Sequence, residues 1–309
     1  MLVPSFRILH LSDPHFGINF FGYGAKSPNT PASCAKALAD DIERCLESNG
    51  MRNEARAKRG RRQFDLLVIS GDLTCHGHPE GMRAAESFHR EIQGGDGFQR
   101  RWWSARDVLV IPGNHDITFG KKPEGPAPQL VVALPPAERE ELYRSTYFKL
   151  TRENLRDTRW LGLLKTYGDE KIAILGLDSC RIESWVKPGL GFVGFDQLQA
   201  LANAAVEEER KEPSKPWRRL AFLHHHLIAM SEVDAAAARS LVQQQPFGLM
   251  TYDAEQILEG LAHYRVDFAF HGHYHRPNLQ TQPAHWLKSF RKLRPRCIRR
   301  ERRRLRQSL

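Results

Sequence analysis

"DLLVISGD", residues 65–72, is an apolar, β-branched run that stops abruptly at Gly71-Asp72. Leu, Val and Ile in unbroken succession suit a strand buried on both faces, within a sheet covered by other layers, rather than a half-solvated hairpin. The same shape recurs in "FRILHLSD" (6–13), "VLVIPGNHD" (108–116), "KIAILGLDS" (171–179), "RRLAFLHHH" (218–226) and "VDFAFHGH" (266–273). Each run ends in polar residues. Between them lie stretches with helical spacing: 33–48 with Ser33 as a candidate N-cap, 79–92, 195–210, and 253–264, where Asp253 is a candidate cap and Ile257, Leu258 and Leu261 share one face. Strands alternating with helices predict an α/β fold with crossover connections. Residues 117–170 form a longer excursion, with a Pro/Gly-rich lead-in and a helix expected across 137–148. It reads either as structure hanging over a site or as a packing helix.

The chain has 309 residues, 41% hydrophobic and 27% charged, as expected for a soluble globular protein and not for a disordered one. Its net charge of +10 is unevenly placed. Residues 291–309 carry nine Arg and one Lys against Glu301, a net +9, so the body before them is close to neutral. The basic character therefore belongs to the end of the chain, which predicts an Arg-rich tail, disordered or partner-bound, over 281–309 beyond a main domain at 1–280. Five cysteines, odd in number and without a C-x-x-C pair, suit reduced thiols in the cytoplasm. With no signal-like start and no run near the roughly 18 apolar residues of a membrane span, a cytoplasmic protein without a membrane partner is expected.

In open α/β sheets ligands gather at the carboxyl ends of strands. Here those ends carry Asp13 and His15, Asp72, the tetrad Gly113-Asn114-His115-Asp116, the triplet His224-His225-His226, and "HGHYH" at 271–275. Alternate positions of an extended chain share a side, which would let His271, His273 and His275 face one point. Carboxylate, amide oxygen and imidazole without cysteine suit divalent ions such as Mn, Fe, Co or Zn. A closed structural zinc site needs four ligands, whereas about seven candidates are enough for two ions sharing a carboxylate. Asp72 is the natural bridge.

Asp13-Pro14-His15, Gly71-Asp72, Gly113-Asn114-His115-Asp116, the histidines at 224–226 and Gly272-His273-Tyr274-His275 resemble, in order and strand context, the motifs of the calcineurin-like metallophosphoesterase superfamily. The resemblance implies a four-layer α/β/β/α sandwich with mixed sheets and a dinuclear centre. By position, Asp13, His15 and His275 would hold one ion and Asn114, His224 and His273 the other, with Asp72 bridging, while His271, still within its strand, would be a packed or hydrogen-bonded histidine. His225 and His226 beside His224, and Leu227 where proline often follows, leave the register of that block open. The implied reaction is attack of a bridging hydroxide on a phosphate ester, with His115 over the substrate as the catalytic imidazole. Asp116 would be a supporting carboxylate or a turn cap, and Asp178 a supporting carboxylate.

"GDLTCHGHPE" and "GNHD" depart from the Asp-Arg-Gly continuation and Asn-His-Glu of protein phosphatases, and "LHLSDPHFG" suits the cyclic-nucleotide phosphodiesterase-like branch. A nuclease of the same superfamily would use the same centre with basic, aromatic-bearing sequence such as "QRRWWSAR" (99–106) and the tail. Trp102 and Trp103 serve equally as core residues. A non-enzymatic metal-binding scaffold or nucleic-acid tether is the remaining class. Members of the superfamily usually continue after the last histidine block with strands completing the second sheet. Here 34 residues follow His275 and the last 19 are dominated by arginine, so either a functional basic arm or an incomplete, frame-altered end is expected.

Overall fold

The computed structural model describes residues 6–16, 31–48, 64–75, 77, 79–94, 107–117, 136–155, 159–181, 191–213, 216–228 and 251–273. His275, Trp102, Trp103 and the expected tail lie outside the described residues.

Three strands form the first sheet, β1 (Ile8–Leu11), β2 (Leu66–Ser70) and β3 (Val108–Ile111), parallel and in that order. The second sheet runs β4 (Leu163–Tyr167), β5 (Ile172–Leu177), β6 (Arg218–Leu223) and β7 (Phe268–His271), with β4 antiparallel to β5 and the other pairs parallel. The helices are α1 (Pro31–Ser48), α2 (Pro79–Gly94), the single turn α3 (Asn114–Ile117), α4 (Pro136–Thr151), α5 (Phe195–Lys211) and α6 (Ala254–His263).

Side-chain alternation builds the layers. Leu67, Ile69, Val108 and Val110 face helical residues such as Ala35, Ile42, Met82, Phe88 and Tyr147. Their strand neighbours Leu66, Val68, Leu109 and Ile111 turn the other way and meet Ile174 and Phe222 of the second sheet. On that sheet's far side Leu175, Leu177, Ala221 and Leu223 pack against Leu198, Ala202, Ile257 and Leu261 of α5 and α6. The order is helices, sheet, sheet, helices, the four-layer sandwich. Strands covered on both faces are apolar on both faces: β2, at the centre of its sheet, and β3, at its edge, are buried throughout. On the other edge strands burial drops, and on β7 Phe268 is 60% exposed.

Three local readings need correction. Helix α1 begins at Pro31, so Ser33 lies inside its first turn instead of capping it. Proline needs no hydrogen bond there and its φ is preset for a helix. Asp253 stands at the N-cap of α6 without a side-chain cap bond. Its carboxylate accepts the Val193 and Gly194 amides instead, at 3.1 and 2.7 Å, fastening the segment that enters α5. The 117–170 stretch also contains β4, a strand of the second sheet, while α4 buries Tyr143, Tyr147 and Leu150 in the helical layer of the first. Among the described residues no helix is long and apolar enough to cross a membrane.

Candidate metal centre

Because β1, β2 and β3 are mutually parallel, as are β5, β6 and β7, each sheet presents a row of carboxyl ends. The rows meet. Asp13, after β1, accepts the His273 amide after β7 at 2.9 and 3.0 Å. His224, after β6, reaches across to the carbonyl of Ser70 at the end of β2 through Nδ1, at 3.0 Å. The two sheets are thus stitched at the site.

The turns that do this are left-handed. Asp13, His15, Asp72 and His273 have φ of 55°, 46°, 49° and 71°. Non-glycine residues pay for that conformation, and it persists where the surroundings over-determine it. Backbone reversal, not strand alternation, therefore aims Asp13 and His15. His271 is still in β7, as expected of a packed histidine, and its ring lies 4.0 Å from that of His226, while His273, past the turn, lies 4.7 Å from His224. The two do not face one point. Two glycines permit close approach. A Cβ on Gly71, itself at φ 94°, would stand 2.3 Å from His224 Nδ1, and one on Gly113 would stand 2.1 Å from Asp72 N and Oδ1.

A carbonyl only accepts, so the proton of His224 lies on Nδ1 and its Nε2 lone pair faces inward. That Nε2 is 2.9 Å from Asn114 Oδ1, 2.9 Å from His273 Nδ1 and 3.4 Å from Asp72 Oδ1. Ligand atoms about 2.1 Å from one ion and near tetrahedral or octahedral angles stand about 3.0–3.4 Å from one another. Amide oxygen, carboxylate oxygen and imidazole nitrogen at this spacing fit a shared divalent cation. Burial, reinforced by His273 and His225, holds the His224 imidazole well below its usual pKa, so it stays the neutral form a metal needs.

On the other side of Asp72, His15 Nε2 lies 3.4 Å from Oδ2 and His115 Nε2 3.9 Å from the same oxygen. Among the described residues the groups that could hold an ion are accordingly His15, Asp72 and His115; Asp13, Asp72 and His224; and His224, His225 and His273. Asp72 belongs to two of the three. His225 is turned toward Ser179, whose Oγ is 2.9 Å from Nδ1.

His115 and Asp116 differ in access. His115 donates Nδ1–H to the Cys75 carbonyl at 2.6 Å, and its backbone amide donates to Asp72 Oδ1 at 2.9 Å. The ring is therefore held with Nε2 toward the centre, partly open to solvent. Asp116 is fully buried and accepts from Leu73 N, Thr74 N, Thr74 Oγ1 and Gly113 N at 2.9–3.1 Å. Burial pushes its carboxyl up to about 6 against the pull of those donors. Its geometry is that of a clamp between the turns carrying Asp72 and Asn114. Cys75, pushed up to about 12 by burial and by Asp72 and Asp116, remains a thiol. Asp178 accepts the Cys180 amide and shapes the turn after β5.

A family model described as calcineurin-like phosphoesterase matches residues 6–277, which includes every element and every site residue above. A search of curated proteins finds no match to the chain. With 272 of 309 residues covered and the divalent-metal donors of the motifs drawn together at one edge of a two-sheet sandwich, the chain belongs to the calcineurin-like phosphoesterase family, hydrolases of phosphoric esters.

Proposed function

We propose that this protein is a phosphodiesterase working with two divalent ions of the Mn, Fe, Zn or Co type, one held by Asp13, His15 and His275, the other by Asn114, His224 and His273, with Asp72 common to both. The observation that carries the reading is the cluster of donor atoms around His224 Nε2 beside a carboxylate whose second oxygen faces His15. When bound, such ions supply Lewis acidity toward the phosphoryl oxygens and a water acidified enough to act at neutral pH.

The chain's own groups do the rest. Asp72 offers one oxygen to each side and is kept in place by the His115 amide. His115, with Nδ1 committed to Cys75, has only Nε2 to present to substrate, where a protonated ring neutralises charge or delivers a proton to the leaving oxygen. Asp116 acts through the turns. The diester preference rests on "GNHD" and on the missing Asp-Arg-Gly continuation. A nucleic-acid substrate is the second reading, favoured by the net +9 of residues 291–309.

The test is hydrolysis of a chromogenic diester and monoester by chelator-treated protein with Mn added back, wild type against Asp72→Asn. Mn-dependent diester turnover, reduced about 100-fold or more in folded Asp72→Asn, is expected. Folded wild-type protein inactive with each of the four metals would point instead to a metal-binding scaffold. Single-stranded DNA in the same assay separates the nuclease reading.

A further inference from the structure

The inter-sheet layer is apolar along most of its length and turns polar at its last step before the metal centre. On β1 the inward positions are Ile8 and then His10; on β2 they are Leu66, Val68 and then Ser70. Ser70 is fully buried, and His10 Nε2 shares a hydrogen bond of 2.7 Å with its Oγ. The His10 ring is fixed edge-on against Phe222 and Phe270, with centroids 5.4 and 5.9 Å away. Burial pushes His10 down to about 4, so it is neutral and has both a donor and an acceptor nitrogen. Neither residue is in any of the candidate ligand groups.

The same serine serves the centre from its other end: its carbonyl is the acceptor for His224 Nδ1–H. A ligating imidazole is oriented, and its basicity set, by the partner of its remote nitrogen. Here that partner is a backbone carbonyl, which no substitution can delete. Its residue ends β2 where Gly71 reverses the chain at φ 94°, and Gly272 crowds it so closely that a Cβ there would be 2.8 Å from the Ser70 oxygen. Beside the pairing of Ser70 with Ile111, the side-chain bond to His10 is a second restraint on that carbonyl's direction.

We infer that His10 is a positioning residue for the metal centre, acting through the Ser70 hydroxyl to hold the Ser70 carbonyl on His224. This rests on the proposed metal centre and adds a part that the motif residues do not contain. The line His10, Ser70, His224 runs from the first sheet to a ligand on the second, so the inter-sheet core is coupled to the donor atom at its rim.

The experiment is Mn titration by calorimetry and Co titration by visible absorption on metal-free, full-length wild type, His10→Phe, His10→Gln, Ser70→Ala and the His10→Phe/Ser70→Ala double variant, with thermal unfolding of each. His10→Phe keeps the aromatic packing and removes the hydrogen bond. His10→Gln restores a polar nitrogen near the position of Nε2, and Ser70→Ala breaks the bond from the other side with one atom lost. Metal binding is expected to weaken about 10-fold or more in His10→Phe and Ser70→Ala, to return to within about threefold of wild type in His10→Gln, and to be no worse in the double variant than in the weaker single one. The Co absorption of the two weakened variants should differ from wild type at saturation. Folded Ser70→Ala and His10→Phe with wild-type affinity and spectrum, whatever their melting temperatures, would overturn the positioning role and leave the metal centre standing. Wild-type protein that binds neither metal would overturn the metal centre itself.

Discussion

Both oxygens of Asp116 are taken by donors from the turns that carry Asp72 and Asn114. Asparagine at this position keeps one acceptor and turns an NH2 group toward amides that need acceptors. A buried donor left without a partner costs about 1–3 kcal/mol, so Asp116→Asn should lower stability by about 2–4 kcal/mol. Activity should fall further than the unfolded fraction explains, since both ligand turns loosen. Urea unfolding and Mn-dependent turnover measure the two; an unchanged midpoint would show that the donors find other partners. The identities of the residues around the centre were legible because carboxylate, amide and imidazole followed strand after strand. Their aim was not. Four of them adopt positive φ, and no residue-type pattern at Asp13, His15, Asp72 or His273 announces a left-handed turn in the way glycine does. His10 and Ser70 left a faint trace, as polar residues at inward positions of runs otherwise apolar on that face.

Six of the seven strands were visible at the scale of the element as apolar runs: β2, β3 and most of β5 because both faces are covered, and β1 and β7 although they are only partly buried. The seventh, β4, lies in a stretch read as an excursion because "LLKTY" is mixed in polarity. Its lysine, Lys165, is buried and meets Glu153 at 2.5 Å, a partner twelve residues away. Helix α2 carries the opposite case, a histidine in a face otherwise given to the core. His89 is buried beside Phe88 and Ile92, its Nε2 has no hydrogen-bond partner among the described residues, and burial, helped by Arg152, pushes its pKa down to about 4. Between that value and the ordinary 6.5 the unfolded chain binds a proton there that the folded chain refuses. This part of the stability is therefore complete above about pH 6.5 and is lost as pH falls toward 4, at about 1.4 kcal/mol per unit. His89→Leu should remove that slope. Urea midpoints of metal-free wild type and variant near pH 7.5 and near pH 5 should diverge by about 1–2 kcal/mol at the lower pH. Parallel curves would mean that His89 titrates alike in both states.

For the molecule as a whole, the four layers contain two sheets that share one apolar interface and one polar rim. Among the described residues, hydrogen bonds across the rim include His273 N to Asp13, His224 Nδ1 to Ser70 O and Cys180 Sγ to Pro112 O. The donor set straddles the same seam. Asp13, Asp72 and Asn114 come from the first sheet, and His224 and His273 from the second. A cation bound among them would tie the sheets together, and it would also compensate two carboxylates that are almost wholly withdrawn from water. Such a ligand binds the folded chain and not the unfolded one, where the donors are scattered over 260 residues from Asp13 to His273. Chelation should therefore cost folding stability as well as activity. With free metal near 100 times its dissociation constant the loss is about 2.7 kcal/mol, read as a lowered melting temperature that Mn restores. In Asp72→Asn, where one carboxylate charge is gone, the difference between loaded and chelated protein should shrink to about 1 kcal/mol or less, because the affinity that sets it has fallen. If chelation left the wild-type melting temperature in place while abolishing turnover, the ions would be catalytic passengers on a seam already closed by its own hydrogen bonds. A loss shared by wild type and Asp72→Asn alike would place the stabilising ion somewhere other than this rim.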